Sequence, residues 1–224
     1  MKAGKIALWT FGALLLSGTL FGYGLAEDAR RNNGGFDFHL GDFGNFGPGE
    51  SITIDQTEKT DAKQFKRIEI RTDSPDLTVT PQPGTEVSTR LSGTVRTTAP
   101  KSVPSLVREE KGDTLIFRLQ REQTGVIGSF SSNLQLDVFL PEAWHGELIL
   151  SGSSSDVSLP GGTFSHLAVT TDSGDLTLGT LATEGRFELE TASGEISLES
   201  ADCGQATLKT LSGDKDIEIG RAHV

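Results

Sequence analysis

The chain has 224 residues, with 27 glycines, 12 phenylalanines, a single cysteine and a formal net charge of −11. A surface of that sign repels phosphate backbones, which excludes nucleic acid as a partner. One thiol excludes an internal disulfide, and Cys203 with four scattered histidines (His39, His145, His166, His223) offers no metal-ligand spacing, so neither metal nor cofactor is expected.

Residues 1–26 come first. Lys2 and Lys5 precede an uncharged run from Ile6 to Ala26. At about 1.5 Å per residue this run spans roughly 30 Å as a helix, the thickness of a bilayer core. Trp9 and Tyr23 stand near its ends, where amphipathic rings prefer the interface. The more basic N-terminal flank predicts a cytoplasmic N-terminus and a single-pass membrane anchor, with the rest of the chain extracytoplasmic. The rival is a cleavable signal peptide ending at Gly24-Leu25-Ala26, which would release a secreted protein. Residues 27–50 are a Gly/Phe-rich linker. Its flexible-spacer reading competes with one in which Phe36, Phe38, Phe43 and Phe46 dip into the membrane surface.

From residue 51 onward the sequence repeats itself. FKRIEIRTDSPDLTV (65–79) and FSHLAVTTDSGDLTL (164–178) share one frame. The frame recurs in ELILSGSSSDVSL (147–159), RFELETASGEISL (186–198) and QATLKTLSGDKDIEI (205–219). The last apolar residues, Leu159, Leu178, Leu198 and Ile219, are 19, 20 and 21 positions apart. Each unit reads as two short alternating strands joined by a Ser/Gly/Asp turn.

Alternation places Leu167, Val169, Leu176 and Leu178 on one inner face. The next units supply Phe187, Leu189, Ile196 and Leu198, then Ala206, Leu208, Ile217 and Ile219. Burying four such side chains contributes roughly 6–12 kcal/mol. Ordering some twenty residues costs on the order of 30 kcal/mol. A lone unit cannot fold and must stack on its neighbours. The expected fold is therefore all-β: a parallel β-solenoid with about 20 residues per coil, over a domain spanning 51–224, with an antiparallel β-sandwich as the alternative. Stacking predicts a serine ladder (Ser173, Ser193, Ser212) and a threonine ladder (Thr171, Thr191, Thr210). Pro75 departs from the pattern, standing where Gly174, Gly194 and Gly213 occur elsewhere. Residues 85–140 are β-rich but less regular.

This frame, with the strand NLQLDVFLP closing on Pro141, resembles a bacterial family of β-strand-repeat proteins of unknown function, also described as candidate adhesins. The resemblance covers roughly residues 50–219. It implies an exported or membrane-attached β-repeat domain, with some relatives linked to cell-envelope stress, and it carries over no catalytic residues.

Residues 141–224 hold 14 of the 31 acidic side chains and 4 of the 20 basic ones. Among the acids, Asp175, Glu195 and Asp214 share one turn position and form the candidate ligand-facing acidic ladder. Ordinary turn chemistry also accounts for them, since aspartate is at home in such turns. Trp144-His145 reads as a loop aromatic covering a strand end, with an exposed ligand contact as the alternative. Cys203 falls in the column of Phe65 and Phe164, as a small buried hydrophobe or else a reactive thiol. Nucleophile elbows, phosphate loops and zinc-protease motifs are absent, so no enzyme activity is expected. A non-enzymatic, membrane-anchored role in cell-envelope interaction, adhesion or envelope-stress response follows. The alternatives are a sensor or decoy binding cationic peptides and a carbohydrate-active β-helix enzyme.

Overall fold

Strands that alternate apolar and polar side chains still carry backbone donors and acceptors on both edges, and these need strands on either side. The computed structural model describes residues 50–98, 103–121 and 130–217. Thirteen strands occur there, with one short 3-10 turn at Ala62–Gln64. In chain order they are β1 (Glu50–Asp61), β2 (Arg67–Arg71), β3 (Asp76–Gln82), β4 (Glu86–Thr97), β5 (Ser105–Lys111), β6 (Thr114–Gln120) and β7 (Phe130–Pro141). They continue as β8 (Glu147–Gly152), β9 (Val157–Phe164), β10 (His166–Ser173), β11 (Leu176–Ser193), β12 (Ile196–Ser212) and β13 (Lys215–Ile217).

The repeats stack as coils with two parallel ranks. One rank runs β6-β2-β8-β10 and then the second halves of β11 and β12. The other runs β7-β3-β9, the first halves of β11 and β12, and β13. Every described pairing of residues 147–217 is parallel, which sets aside the antiparallel sandwich. β11 and β12 are 18 and 17 residues long because each carries one coil into the next around a corner. Their register shifts there, between Thr183 and Arg186.

Parallel register puts like on like. Leu148, Leu167 and Phe187 form one inner column, and Leu150, Val169 and Leu189 a second. Val157, Leu176 and Ile196 form a third, and all nine are buried. The predicted ladders are present: Thr171, Thr191 and Thr210 pair in series, as do Ser173, Ser193 and Ser212.

The last unit departs from its predicted register. Sequence matching sets Ile217 and Ile219 against Ile196 and Leu198. In the structure Lys215 faces Ile196 and Ile217 faces Leu198, while Ile219 lies outside the described residues. The turn decides the register. Ser212 stays paired with Ser193, and Gly213 lies directly on the Gly194 carbonyl, so Lys215 takes the first position of the new strand. Lys215 is exposed there, and its Nζ donates to the Leu208 carbonyl at 3.2 Å.

The irregular stretch between β3 and β8 forms the other end of the stack. β6 and β7 come after β2 and β3 in sequence, yet they pair on the side of that coil away from β8 and β9. Antiparallel strands close the two ranks, β5 on β6 and β4 with β1 on β7. β1 and β5 are the two ends of an eleven-strand path. They are tied by a bond from the Leu106 N–H to the Gln56 side-chain oxygen at 2.8 Å and one from Arg108 Nη1 to the Lys59 carbonyl at 2.9 Å. Among the described residues no helix is long and apolar enough to cross a membrane. The anchor predicted over 1–26 and nearly all of the 27–50 linker lie outside them.

Candidate functional site

Each coil turns two corners, and the acidic residues collect at the one between its paired strands. Asp76, Asp156, Asp175, Glu195 and Asp214 occupy equivalent positions in five successive coils and are exposed. Two hydrogen bonds, running in opposite directions, link neighbouring coils there. Asp156 Oδ1 accepts the Asp175 N–H at 2.9 Å, Asp175 Oδ1 accepts the Glu195 N–H at 2.8 Å, and Asp76 Oδ1 accepts the Asp156 N–H at 3.4 Å. In return Leu77, Val157, Leu176 and Ile196 donate their N–H groups to the main-chain carbonyls of Asp156, Asp175, Glu195 and Asp214.

The predicted trio therefore lies in one column, and sequence reading missed that Asp76 and Asp156 continue it. The signal was present, an acidic residue just before φ-x-φ at Asp76, Asp156, Asp175 and Glu195. At Asp76, Asp156 and Asp175 the carboxylate that accepts the next coil's amide is a strut, which explains why those positions are acidic whether or not a ligand visits them. Among the described residues no three His, Cys, Asp or Glu side chains converge as a metal-holding group.

Replacing Asp175 by alanine removes the acceptor facing the Glu195 N–H and is expected to cost about 1 kcal/mol. Asp175→Asn keeps an oxygen there and should cost less than half as much. Urea titration of both variants checks this, and equal losses would mean the hydrogen bond contributes nothing.

The opposite corner is built differently. Trp144 is buried at 8% exposure, and its Nε1 donates to the Phe65 carbonyl at 2.8 Å. The reading of Trp144 as cover for a strand end therefore holds, while His145 beside it is exposed. A Cβ on Gly146 would lie 2.4 Å from both the Lys66 carbonyl and Trp144 Cζ2, so only glycine lets the ring and the neighbouring turn approach this closely. The Glu147 N–H donates to the Lys66 carbonyl at 2.8 Å, the Ala62 N–H to Thr85 O at 2.9 Å and the Ser165 N–H to His145 O at 3.1 Å. These bonds draw four chain segments around a cleft of about 570 Å³. Trp144, Phe65 and Pro141 line it together with Lys63, Lys66 and His145. Sequence reading missed it because those segments are distant in the chain and none carries a motif.

One family model, Toastrack DUF4097, matches residues 65–222, which include every coil from β2 onward. The chain belongs to the Toastrack DUF4097 family. No curated protein matches it. Among solved structures, this Toastrack chain is similar to a candidate cell adhesion protein from Clostridium sporogenes ATCC 15579, with 8% identity and a TM-score of 0.49 over 75% of this chain and 100% of that one. A candidate adhesin from Parabacteroides distasonis ATCC 8503 shares 14% identity at a TM-score of 0.44, over 75% of this chain and 73% of that one. Another from Bacteroides fragilis NCTC 9343 shares 15% identity at a TM-score of 0.29, over 75% and 97%.

The Toastrack coils also place Cys203. It pairs in register with Thr183, which pairs in turn with Phe164, so Cys203 stands in the Phe164 column with a threonine between them. Cys203 packs half-buried against the core. Burial pushes its thiol pKa up, and the neighbouring Asp202 adds to the shift. A raised value means that the folded chain holds the proton more tightly than the unfolded one. The contribution to stability is full below the ordinary thiol value, about 8.5, and is lost as pH rises through the folded value. Near pH 7.5 the thiol should react with Ellman's reagent more slowly than free cysteine and recover the ordinary rate in urea. An accelerated rate in the folded chain would mark it as reactive.

Proposed function

We propose that the chain is a non-enzymatic surface module: residues 6–26 hold it to the membrane, residues 27–50 act as a spacer, and the coils from residue 51 onward are displayed outside the cytoplasm. Its role is interaction at the cell envelope, by adhesion or as part of an envelope-stress response. The observation that carries this reading is the acidic column. Its carboxylates accept backbone amides from the next coil at 2.8 and 2.9 Å in the best-formed steps, so the exposed acids support a rigid scaffold. Acid–base chemistry would instead need two groups converging on one bond.

The exposed acids on this corner favour cationic partners, including cationic peptides, over anionic ones at that edge. The test uses intact cells expressing the full chain with a C-terminal tag. Added protease should remove the tag without lysis, and the fragment left in the membrane should begin at residue 1. A protected tag would overturn the reading. A chain beginning near Glu27 would replace the anchor with a secreted form.

A further inference from the structure

The cleft at the Trp144 corner is opposite in sign to the chain as a whole. The chain carries 31 acidic against 20 basic side chains, yet Lys63 and Lys66 stand together on the cleft with His145. The one carboxylate in the lining, Glu147, is engaged by Arg67, whose Nη2 lies 2.5 Å from it. Lys66 has only a loose pairing with Asp113 at 3.6 Å, both side chains being well exposed. Lys63 has no carboxylate partner among the described residues. Two ammonium groups are therefore available to a ligand, beside a neutralised acid.

The floor is apolar and rigid. Trp144 is fixed by its Nε1 bond to Phe65 and by the absence of a side chain at Gly146, and Pro141 and Phe65 extend it. Thr85 and Ser165, both hydroxyl-bearing, also line the cleft. A volume of about 570 Å³ lies within the range of small-ligand sites, in which an apolar wall gives area and a few polar groups give orientation. A ligand matching this lining has an apolar face, several hydroxyls and a negative charge held away from that face. We infer that the cleft binds an acidic saccharide, a pyranose carrying a carboxylate, with the sugar's C–H face on the Trp144 side and its carboxylate between Lys63 and Lys66.

This deepens the surface-module reading and rests on it for its biological sense, but the two fail separately. Binding is measured on the purified full chain, and display is measured on cells. The probe is digalacturonate at low salt, followed by calorimetry, with digalactose and inorganic phosphate as comparison ligands. Digalacturonate should bind saturably and weaken at least tenfold in 0.5 M salt. It should also weaken at least tenfold in the Lys63→Gln/Lys66→Gln double variant, whose changed side chains are exposed and leave the Trp144 packing intact. Digalactose should bind at least tenfold more weakly than digalacturonate. Three outcomes overturn the inference: no saturable binding of digalacturonate, equal affinity in the double variant, or phosphate binding as tightly as the saccharide. The last would mean a site for charge alone.

Discussion

Replacing Gly194 by alanine is expected to destabilise the fold by about 3 kcal/mol, whereas Gly204→Ala should leave it within about 0.5 kcal/mol. A Cβ built on Gly194 lies 2.1 Å from the Gly174 carbonyl oxygen and 2.7 Å from its carbon, and these are backbone atoms of the coil beneath. No rotamer relieves such a clash, so the coils must separate at the corner. Separation would also stretch the bond from Thr191 Oγ1 to the Gly174 carbonyl at 3.3 Å and the adjoining amide–carboxylate contact of Glu195 with Asp175. Gly213 stands in the same relation to Gly194, with the Cβ position 2.0 Å from its carbonyl oxygen. Gly204 has open space where its Cβ would be. For a body of this size, thermal unfolding should show a drop of roughly 6–12 °C for Gly194→Ala and little change for Gly204→Ala. Equal midpoints would mean that the coils do not lie against one another as closely as the geometry requires.

That glycine column also shows which parts of the molecule were legible in the sequence. The repeat, the inner columns and the Ser and Thr ladders could be read because parallel stacking places equivalent residues one above another, and a constant period encodes that directly. The reason for the glycines could not be read so easily. Positive φ is a property of one residue, and it describes Gly174, at +153°, among the three. The shared cause is a carbonyl oxygen from the coil beneath, about twenty residues away in the chain. Pro75 and Ser155 hold the same place in the first two coils. The turn does not itself demand glycine; close stacking on the neighbouring coil does.

The insert between β3 and β8 was legible as strands but not as a location. Nothing in DTLIFRLQ or NLQLDVFLP states that β6 and β7 will pair on the far side of the coil that precedes them in sequence. Alternation fixes which face of a strand is buried but not which neighbour it pairs with, so the parallel partners β2 and β3 could not be chosen from the pattern alone. The same limit explains the missed cleft. Lys63 and Lys66 belong to the turn leading into β2, Thr85 to the turn before β4, and Trp144 to the turn before β8. Only the stack brings them together. The acidic ladder lay at the other extreme, visible as a repeated letter before each second strand. What the sequence left ambiguous was whether those carboxylates face a ligand or brace the coils, and the amide contacts supply the bracing.

Position in the stack should also set the cost of an identical change. Leu189 and Leu208 occupy one inner column and are paired in register, yet Leu189 is fully buried while Leu208 is only half-buried. Leu189→Ala opens a cavity between coils on both sides and is expected to cost about 3 kcal/mol. Leu208→Ala removes a side chain that water already reaches, and should cost less than about 1 kcal/mol. Hydrogen exchange adds a second reading. If the coils behave as a line of nearest-neighbour units, amides of β13 and the second half of β12 exchange first in the parent chain. Leu208→Ala should quicken exchange there while leaving β8 and β10 protected, whereas Leu189→Ala should lower protection in β10 and β11 together. A uniform loss of protection in both variants would mean that the stack unfolds as a single unit, and the rank-by-rank account of its stability would fail.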